Sequence, residues 1–198
     1  MDNQIVRKIE ALKAKMDSLG TLQEFDNNPE MKKEIIAFLQ NNFDKIEEDN
    51  IKCYALYPTH VPGFDEVVPF LLQIFKSSYE PDSSYKWKIG NALETIGTKR
   101  KEYIEDMKKL VLDKKHGISR QMMVLALGKS KDESVVPVLI QLLDDKDVVG
   151  HALSALAKFK SPELQPYFER FLDHKTTYIR NIAKRTIAQI EKMASKQI

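Results

Sequence analysis

A ten-residue segment recurs three times in this chain and constrains its fold more than any other feature. The copies share a proline in the third position, followed by apolar residues at helical spacing; they are Val67–Lys76, Val135–Asp144 and Leu164–Asp173. Self-similarity with a period of a few tens of residues indicates a stacked array, in which each unit packs on its neighbours. We therefore predict a repeat array, whose function depends on the surface side chains that it carries.

Each repeat reads as two helices, which we call A and B. The A helix contains the recurring segment, with apolar residues three and four apart, as in Asp132–Asp144 and Pro162–Leu172. The predicted B helices are Ile89–Gly97, Arg120–Gly128, Val149–Ala157 and Arg180–Ala188. Their ends at 97, 128, 157 and 188 are separated by 31, 29 and 31 residues. We predict left-handed C-caps at Gly97 and Gly128, and close helix packing at Ala92, Ala126, Ala152, Ala155 and Ala183.

Residues Ser119–Asp147 resemble a HEAT repeat of the short, phycobilisome-lyase-like class. The matching residues are Arg120, Ala126, Leu127, Gly128, Pro137, Leu142, Leu143, Asp144 and Asp145. The resemblance extends from Phe64 to Ile190 and implies an all-α, right-handed α-α superhelix (a HEAT-like solenoid) of about five helix pairs. It also implies that Arg120 and Arg180 pair with acidic residues of adjacent repeats.

The first sixty residues are less regular, and we interpret them as an N-terminal cap. Ile5–Leu19 has the spacing of an amphipathic helix, and Asn28-Pro29-Glu30 reads as the start of a second helix. A segment from Lys45 to Tyr57 is its predicted B partner, and a loop follows as far as Gly63. We expect one solenoid domain over 1–198, with a degenerate cap and repeat at 1–60 and regular repeats at 64–190.

Composition narrows the class of partner. The 31 basic and 29 acidic residues nearly balance, so charge makes no strong case for nucleic acid or an anionic membrane. No apolar run approaches the roughly 20 residues that span a bilayer, and the N-terminal residues lack the apolar segment of a signal peptide. The single cysteine, Cys53, cannot form an intrachain disulfide, which favours a reducing compartment. We expect a cytoplasmic protein without a membrane partner.

No catalytic residue, cofactor or metal site is predicted. The four histidines lie in separate segments without a helical partner, and we interpret them as loop or surface residues; they are His60, His116, His151 and His174. Cys53 has apolar neighbours, as expected for an inert buried thiol. The basic stretch Lys99–Lys115 also carries acids at helical spacing, so we interpret most of it as a solvated helix face, with a phosphate-binding patch as the alternative.

Trp87 is the only tryptophan and lies between two lysines at the start of a B helix. Packing in the core or between repeats is the interpretation we favour for it. An exposed anchor for a partner is the alternative, because tryptophan is enriched among the residues that dominate binding energy at interfaces.

The resemblance predicts a binding surface, because in HEAT-like arrays the B helices line the concave face. The variable B-helix positions mix polar and aliphatic groups, as transient protein–protein surfaces do. The predicted binding residues are Asn91, Glu94, Gln121, Met122, Leu125, His151, Ser154, Asn181 and Arg185, and the same positions include Gly90, Gly150 and Ile182. We therefore predict a non-enzymatic scaffold or adaptor that binds a protein or peptide on this face.

Two enzymatic alternatives follow from the resemblance alone. HEAT-like DNA glycosylases carry a catalytic carboxylate on a strongly basic concave face, and here Glu94 is the only acid among the predicted binding residues. A nucleic-acid groove also tends to be more uniformly basic or aromatic than these positions are. A chromophore lyase is suggested only by the repeat subclass. We expect neither activity and no nucleic-acid partner.

Overall fold

The structure is a computed structural model that describes residues 2–79 and 83–195. All regular elements within these residues are helices, and no strand occurs among them. The α-helices are α1 (Asp2–Leu19), α2 (Leu22–Asp26), α3 (Pro29–Asn42), α4 (Asp49–Ala55), α5 (Val68–Ser77), α6 (Ser84–Ile96), α7 (Lys101–Leu112), α8 (Gln121–Ser130), α9 (Val136–Gln141), α10 (Val149–Leu156), α11 (Gln165–Glu169) and α12 (Thr177–Ala194). The predicted all-α architecture is confirmed.

From α5 onward each A helix contacts the B helix that follows it, and the B helices stack in chain order. Helices α5, α7, α9 and α11 are A helices and α6, α8, α10 and α12 are their B partners, while α3 and α4 hold the A and B positions before them along the chain. Each B helix contacts the next, from α4 through α6, α8 and α10 to α12. Buried apolar side chains form one cluster from Ile5 in α1 to Ile190 in α12. This is the HEAT-like solenoid expected from the resemblance, with four contacting helix pairs from α5 to α12 in the described residues.

The recurring segment begins three A helices in the same way. A short 3-10 helix (Asp65–Val67, Glu133–Val135 or Pro162–Leu164) leads into α5, α9 or α11. The shared proline then falls in the first turn of the α-helix. A backbone N–H has no intrahelical partner there, and the fixed φ of proline suits the helix. The segment therefore marks where these A helices start.

The N-terminal region has the predicted helices and one more. Helix α1 buries Ile5, Ile9 and Leu12, and the Asn28 side chain caps α3 by accepting a hydrogen bond of 2.9 Å from the Met31 N–H. Helix α4 lies in the segment predicted as the B partner of α3, and it packs against α1 and α6. The additional helix, α2, has a capping box in which Thr21 and Glu24 exchange hydrogen bonds. This Thr-x-x-Glu pattern was the signal for α2 in the sequence.

The register of the B helices differs from the prediction at one cap. Gly97 is left-handed as predicted, with φ +64°. Helix α8, however, continues past Gly128 to Ser130, and the left-handed residue is Lys131, with φ +60°. Lys160, after α10, is the next non-glycine residue of this kind, so a left-handed residue follows each of three successive B helices, at positions 97, 131 and 160. The predicted C-cap at Gly128 is wrong.

Gly128 instead permits close contact between α8 and α10. A Cβ atom at position 128 would lie 2.6 Å from both Cα and Cβ of Ala155. Gly90 has the same role between α6 and α8, since a Cβ there would lie 2.7 Å from the Met123 backbone nitrogen. Gly90 is therefore buried against α8, contrary to its prediction as an exposed position. The five predicted alanines are also buried, which confirms that small residues pack the B helices.

A buried ion pair joins two repeats through Arg120, as predicted. The Arg120 side chain is fully buried, and its Nη1 donates a hydrogen bond of 2.9 Å to Asp145 Oδ2. The same guanidinium donates to the backbone oxygens of Val111 and Gly117, at 2.9 and 2.8 Å. Burial alone would raise the pKa of Asp145, but hydrogen bonds from Arg120 and the Asp147 N–H hold it below its usual value.

The predicted inter-repeat pair of Arg180 is wrong. Its Nη1 donates to the backbone oxygens of His174 and Lys175, and its Nη2 donates to Thr177 Oγ1. All three acceptors precede α12 or lie in its first turn.

Lys86 and His116 occupy the positions of Arg120 and Asp145 one repeat earlier. Lys86 precedes Arg120 by the same number of residues as separates the left-handed residues Gly97 and Lys131. His116 precedes Asp145 by the same number of residues as separates Lys131 and Lys160. Lys86 Nζ lies 2.9 Å from His116 Nδ1. The ring centroid of His116 lies 4.8 Å from that of Phe75 and 5.1 Å from that of Tyr79. His116 lies in the connection between α7 and α8 but is buried between repeats, so its prediction as a surface residue is wrong.

The protein is expected to lose stability as the pH falls below about 6.5, partly through His116. Burial lowers the pKa of this side chain, Lys86 and Arg120 lower it further, and Asp113 opposes them. The unfolded chain therefore binds a proton more readily, and the stabilisation present above the unfolded pKa is lost as the pH falls through the folded pKa. Urea unfolding at several pH values should show a shallower pH dependence for His116→Gln than for the wild type. Identical slopes would contradict this assignment.

Candidate interaction surface

The nine predicted binding residues lie along four consecutive B helices, and we call this set the B-helix ridge: Asn91, Glu94, Gln121, Met122, Leu125, His151, Ser154, Asn181 and Arg185. None of them is buried. Equivalent positions on stacked helices form rows across the array. Asn91 on α6, Leu125 on α8 and Ser154 on α10 are such positions, because the numbers of residues between them equal those between the left-handed residues at 97, 131 and 160. The structure therefore brings side chains from distant segments onto one accessible face.

Some ridge side chains are occupied by contacts within the array. Gln121 Nε2 donates to the Asp147 backbone oxygen at 2.9 Å, and Ser154 Oγ donates to the Gly150 oxygen at the same distance. By contrast, the side chains of Asn91, His151, Asn181 and Arg185 make no hydrogen bond within the described residues. A partner can therefore reach these four polar groups without breaking contacts inside the repeats.

Glu94 is held by lysines of the following two repeats. Its carboxylate oxygens lie 3.8 Å from Lys129 Nζ and 3.9 Å from Lys158 Nζ. Burial lowers the pKa of Lys158, and Lys129 and Lys131 act in the same direction, whereas Glu94 opposes them. Glu94 therefore links three successive repeats electrostatically, and this arrangement gives no support to the alternative in which it is a catalytic acid.

Trp87 is not a core residue. Its side chain is 38% exposed, one turn before Asn91 on α6. A depression between α6 and the next repeat is lined by Ser83, Ser84, Trp87, Ile118 and Ser119. A second depression, between α6 and the preceding repeat, is lined by Cys53, Tyr54, Tyr57, Ser84, Trp87 and Lys88. We call the two together the Trp87 groove.

Sequence reasoning identified Trp87 as a candidate anchor but missed the other walls of this groove. Tyr57 belongs to the repeat before Trp87 and Ile118 to the repeat after it, and no local pattern links them. Cys53, at the edge of the groove, has a pKa raised by burial and, to a smaller extent, by Asp49. The thiol form is therefore favoured, but the side chain is only partly buried, unlike the buried thiol that was predicted.

The basic stretch Lys99–Lys115 behaves mainly as a solvated helix face. Lys108 and Lys109 pair with Glu105 and Asp106 along α7. Among the described residues, no group of three or more histidine, cysteine, aspartate or glutamate side chains is arranged to hold a metal ion. None of the helices in that same part of the chain combines the length and the apolar character needed to cross a membrane.

These observations define a helical repeat protein with one accessible face along its B helices. A comparison with protein families matches residues 104–188 to HEAT repeats, which supports a HEAT-like repeat protein. The matched segment begins in α7 and ends in α12. The match is to HEAT repeats in general and does not specify the short, phycobilisome-lyase-like class. No curated protein matches the chain.

Proposed function

We propose that this chain is a non-enzymatic interaction module that binds a protein or peptide on the B-helix ridge, as the concave face of a cytoplasmic scaffold. HEAT repeats commonly mediate protein–protein interaction. The proposal rests on four polar side chains of the ridge that are accessible and make no hydrogen bond within the described residues: Asn91, His151, Asn181 and Arg185. Polar groups of this kind, interspersed with aliphatic side chains such as Leu125, are typical of transient interfaces.

Replacing four ridge residues together is expected to weaken partner binding by roughly tenfold or more, since a few residues dominate binding energy. The four make no side-chain hydrogen bond among the described residues and belong to α6, α8, α10 and α12. The substitutions are Asn91→Ala, Leu125→Ala, His151→Ala and Arg185→Ala. Candidate partners are identified by affinity capture from the native cell, purified, and titrated against each variant by calorimetry.

The matched control changes four exposed positions on the outer A helices and neighbouring turns, which are Lys101, Glu102, Gln141 and Glu163. Their alanine variant should bind each purified partner with wild-type affinity. Circular dichroism and thermal unfolding establish that both quadruple variants retain the fold. A folded ridge variant that binds every partner as tightly as the wild type would refute the proposed function.

A further inference from the structure

Four lysines lie at the C-terminal ends of α8 and α10, and we call them the lysine edge: Lys129, Lys131, Lys158 and Lys160. They form two Lys-x-Lys pairs, and Lys129 and Lys158 follow the ridge residues Leu125 and Ser154 by one helical turn. Equivalent positions of two successive repeats therefore carry lysine. The lysine edge borders the B-helix ridge, so a partner that lies on the ridge can reach it.

Two of these ammonium groups, from different repeats, converge on one carboxylate. Lys129 Nζ lies 3.8 Å from one oxygen of Glu94, and Lys158 Nζ lies 3.9 Å from the other. Among the described residues, Glu94 is the one acid that forms an ion pair with the lysine edge. Besides burial, which is the larger cause, Lys129 and Lys131 lower the pKa of Lys158. Three lysines and a single carboxylate therefore interact at this point.

Lys158 and Lys160 have ammonium groups that make no hydrogen bond within residues 2–79 and 83–195. By contrast, Lys129 Nζ donates to the Thr95 backbone oxygen at 3.3 Å, and Lys131 Nζ donates to the Lys158 backbone oxygen. Lysine commonly binds the free carbonyl groups at helix C-termini in this way. That role does not account for the other two ammonium groups, whose donors are free to bind a ligand.

The backbone is left-handed at Lys131 and Lys160, with φ +60° and +53°. This conformation favours glycine, which occupies the equivalent position 97 one repeat earlier, and it costs stability for a residue with a Cβ atom. Lys131 gains a hydrogen bond to the next repeat, whereas Lys160 gains no side-chain contact in the described part of the chain. Left-handed residues other than glycine cluster at functional sites, which points to a binding role for Lys160.

The acids that follow these lysines in sequence are not paired with them. Asp132 Oδ1 accepts a hydrogen bond of 2.9 Å from the Ser134 N–H. Hydrogen bonds from Ser134 hold the pKa of Asp132 below its usual value, with smaller contributions from lysines of α7. Glu133 and Glu163 lie in the 3-10 helices that begin the next A helices, and neither forms an ion pair with a described residue. The lysine edge therefore keeps cationic groups without a partner acid.

We infer that the lysine edge binds a phosphorylated side chain of the partner segment that lies on the B-helix ridge. A phosphate monoester carries nearly two negative charges and three acceptor oxygens. It therefore matches several ammonium groups better than a second carboxylate does, and it binds Lys158 and Lys160 beside Glu94. The inference rests on the proposed function and specifies the chemistry of the partner.

The probes are three pools of nonapeptides with neutral flanking residues and acetylated and amidated ends. Their central residue is phosphoserine, glutamate or serine. Nuclear magnetic resonance of the full ¹⁵N-labelled chain measures affinity, and shifts of the backbone amides at 129–131 and 158–160 locate the ligand. The phosphoserine pool should bind roughly tenfold more tightly than the serine pool at low salt, and high salt should reduce this difference. Equal affinity of these two pools, or shifts confined to other residues, would overturn the inference.

Substitutions that change charge test the lysine edge in opposite directions. Lys158→Gln/Lys160→Gln should weaken binding of the phosphoserine pool by roughly tenfold and leave the serine pool unchanged. Glu94→Gln should tighten binding of the phosphoserine pool by roughly twofold or more, because a repelling carboxylate is removed. Lys109→Gln removes an exposed lysine of α7 and should change neither affinity. Wild-type affinity in the double variant, or weaker binding in Glu94→Gln, contradicts the inference.

Lys160→Gly separates a binding role from a structural one. Glycine relieves the left-handed backbone, so the melting temperature should rise. The affinity for the phosphoserine pool should nevertheless fall by roughly threefold or more, because one ammonium group is lost. A variant that is more stable and binds this pool as tightly as the wild type would show that Lys160 is not part of the site, and the inference would fail.

The outcomes also distinguish this inference from the proposed function. A purified partner that binds Lys158→Gln/Lys160→Gln normally, but not the quadruple ridge variant, would overturn the inference and leave the function standing. A partner that binds the ridge variant normally would refute the function itself. A short DNA duplex that binds more tightly than the phosphoserine pool, and loses affinity in the same double variant, would overturn the inference in favour of nucleic acid.

Discussion

The Arg120→Met substitution is expected to lower the free energy of unfolding by about 3–5 kcal/mol, the usual cost of breaking a buried ion pair from one side. Methionine fills the space of the side chain without donating hydrogen bonds. Asp145 would then remain buried without its guanidinium, and the backbone oxygens of Val111 and Gly117 would lose their donor. Urea unfolding at neutral pH measures the loss.

The matched control is Arg170→Met. Arg170 pairs with Asp144 on the surface, and exposed pairs of this kind contribute less than about 1 kcal/mol. The double variant Arg120→Met/Asp145→Leu should recover part of the loss, because the unpaired carboxylate is gone, but not the part that arises from the two backbone oxygens. Equal stability of Arg120→Met and Arg170→Met would show that the buried network does not join the repeats energetically.

The Gly128→Ala substitution is expected to lower the free energy of unfolding by roughly 2 kcal/mol, within the usual cost of overpacking a core. The new methyl group would lie 2.6 Å from Ala155 Cα and Cβ and 2.9 Å from its backbone oxygen. Backbone atoms cannot move aside as a flexible side chain can, so α8 and α10 must separate. Alanine would otherwise stabilise a helix relative to glycine by up to about 1 kcal/mol, so the sign of the effect is diagnostic.

Gly150→Ala provides the comparison within the same array. A Cβ atom at position 150 would lie 3.6 Å from Tyr178 Cε1 and 3.7 Å from Ile179 Cγ1, which are ordinary contacts. This variant should match the wild type or exceed it by less than about 1 kcal/mol. If Gly128→Ala proves as stable as Gly150→Ala in urea unfolding, the close contact between α8 and α10 is not part of the native packing.

The fold was largely predictable, because its signals are local. Prolines in the recurring segment, the Asn28 cap and the apolar spacing of α1 act within one or two helical turns, and each predicted element is present. The Thr21 and Glu24 capping box was also available in the sequence, although helix α2 was not predicted from it. Gly128 was misassigned because a glycine near a helix end has two roles, as a left-handed cap or as a contact point. Only the distance to Ala155 distinguishes them.

The candidate site was less predictable. The half-exposed and exposed positions of the B-helix ridge follow from the repeat register, but the Trp87 groove does not, since its walls come from α4 and the turn after it, the start of α6 and the 3-10 helix before α8. The inter-repeat positions show the same limit. Arg120 was predicted to pair with an acidic residue of an adjacent repeat. The equivalent pair, Lys86 with His116, contains neither an arginine nor an acid, so the same pattern could not identify it.

The sequence by itself determined the class of this protein: an array of A and B helices with small residues between the B helices. It could do so because helix periodicity and capping depend on residues a few positions apart. The tertiary structure alone decided which glycine separates α8 from α10, which partners surround Arg120 and His116, and that Trp87 faces solvent beside Tyr57 and Ile118. Those features depend on distances between residues about one repeat apart in the chain, and no local pattern encodes such distances.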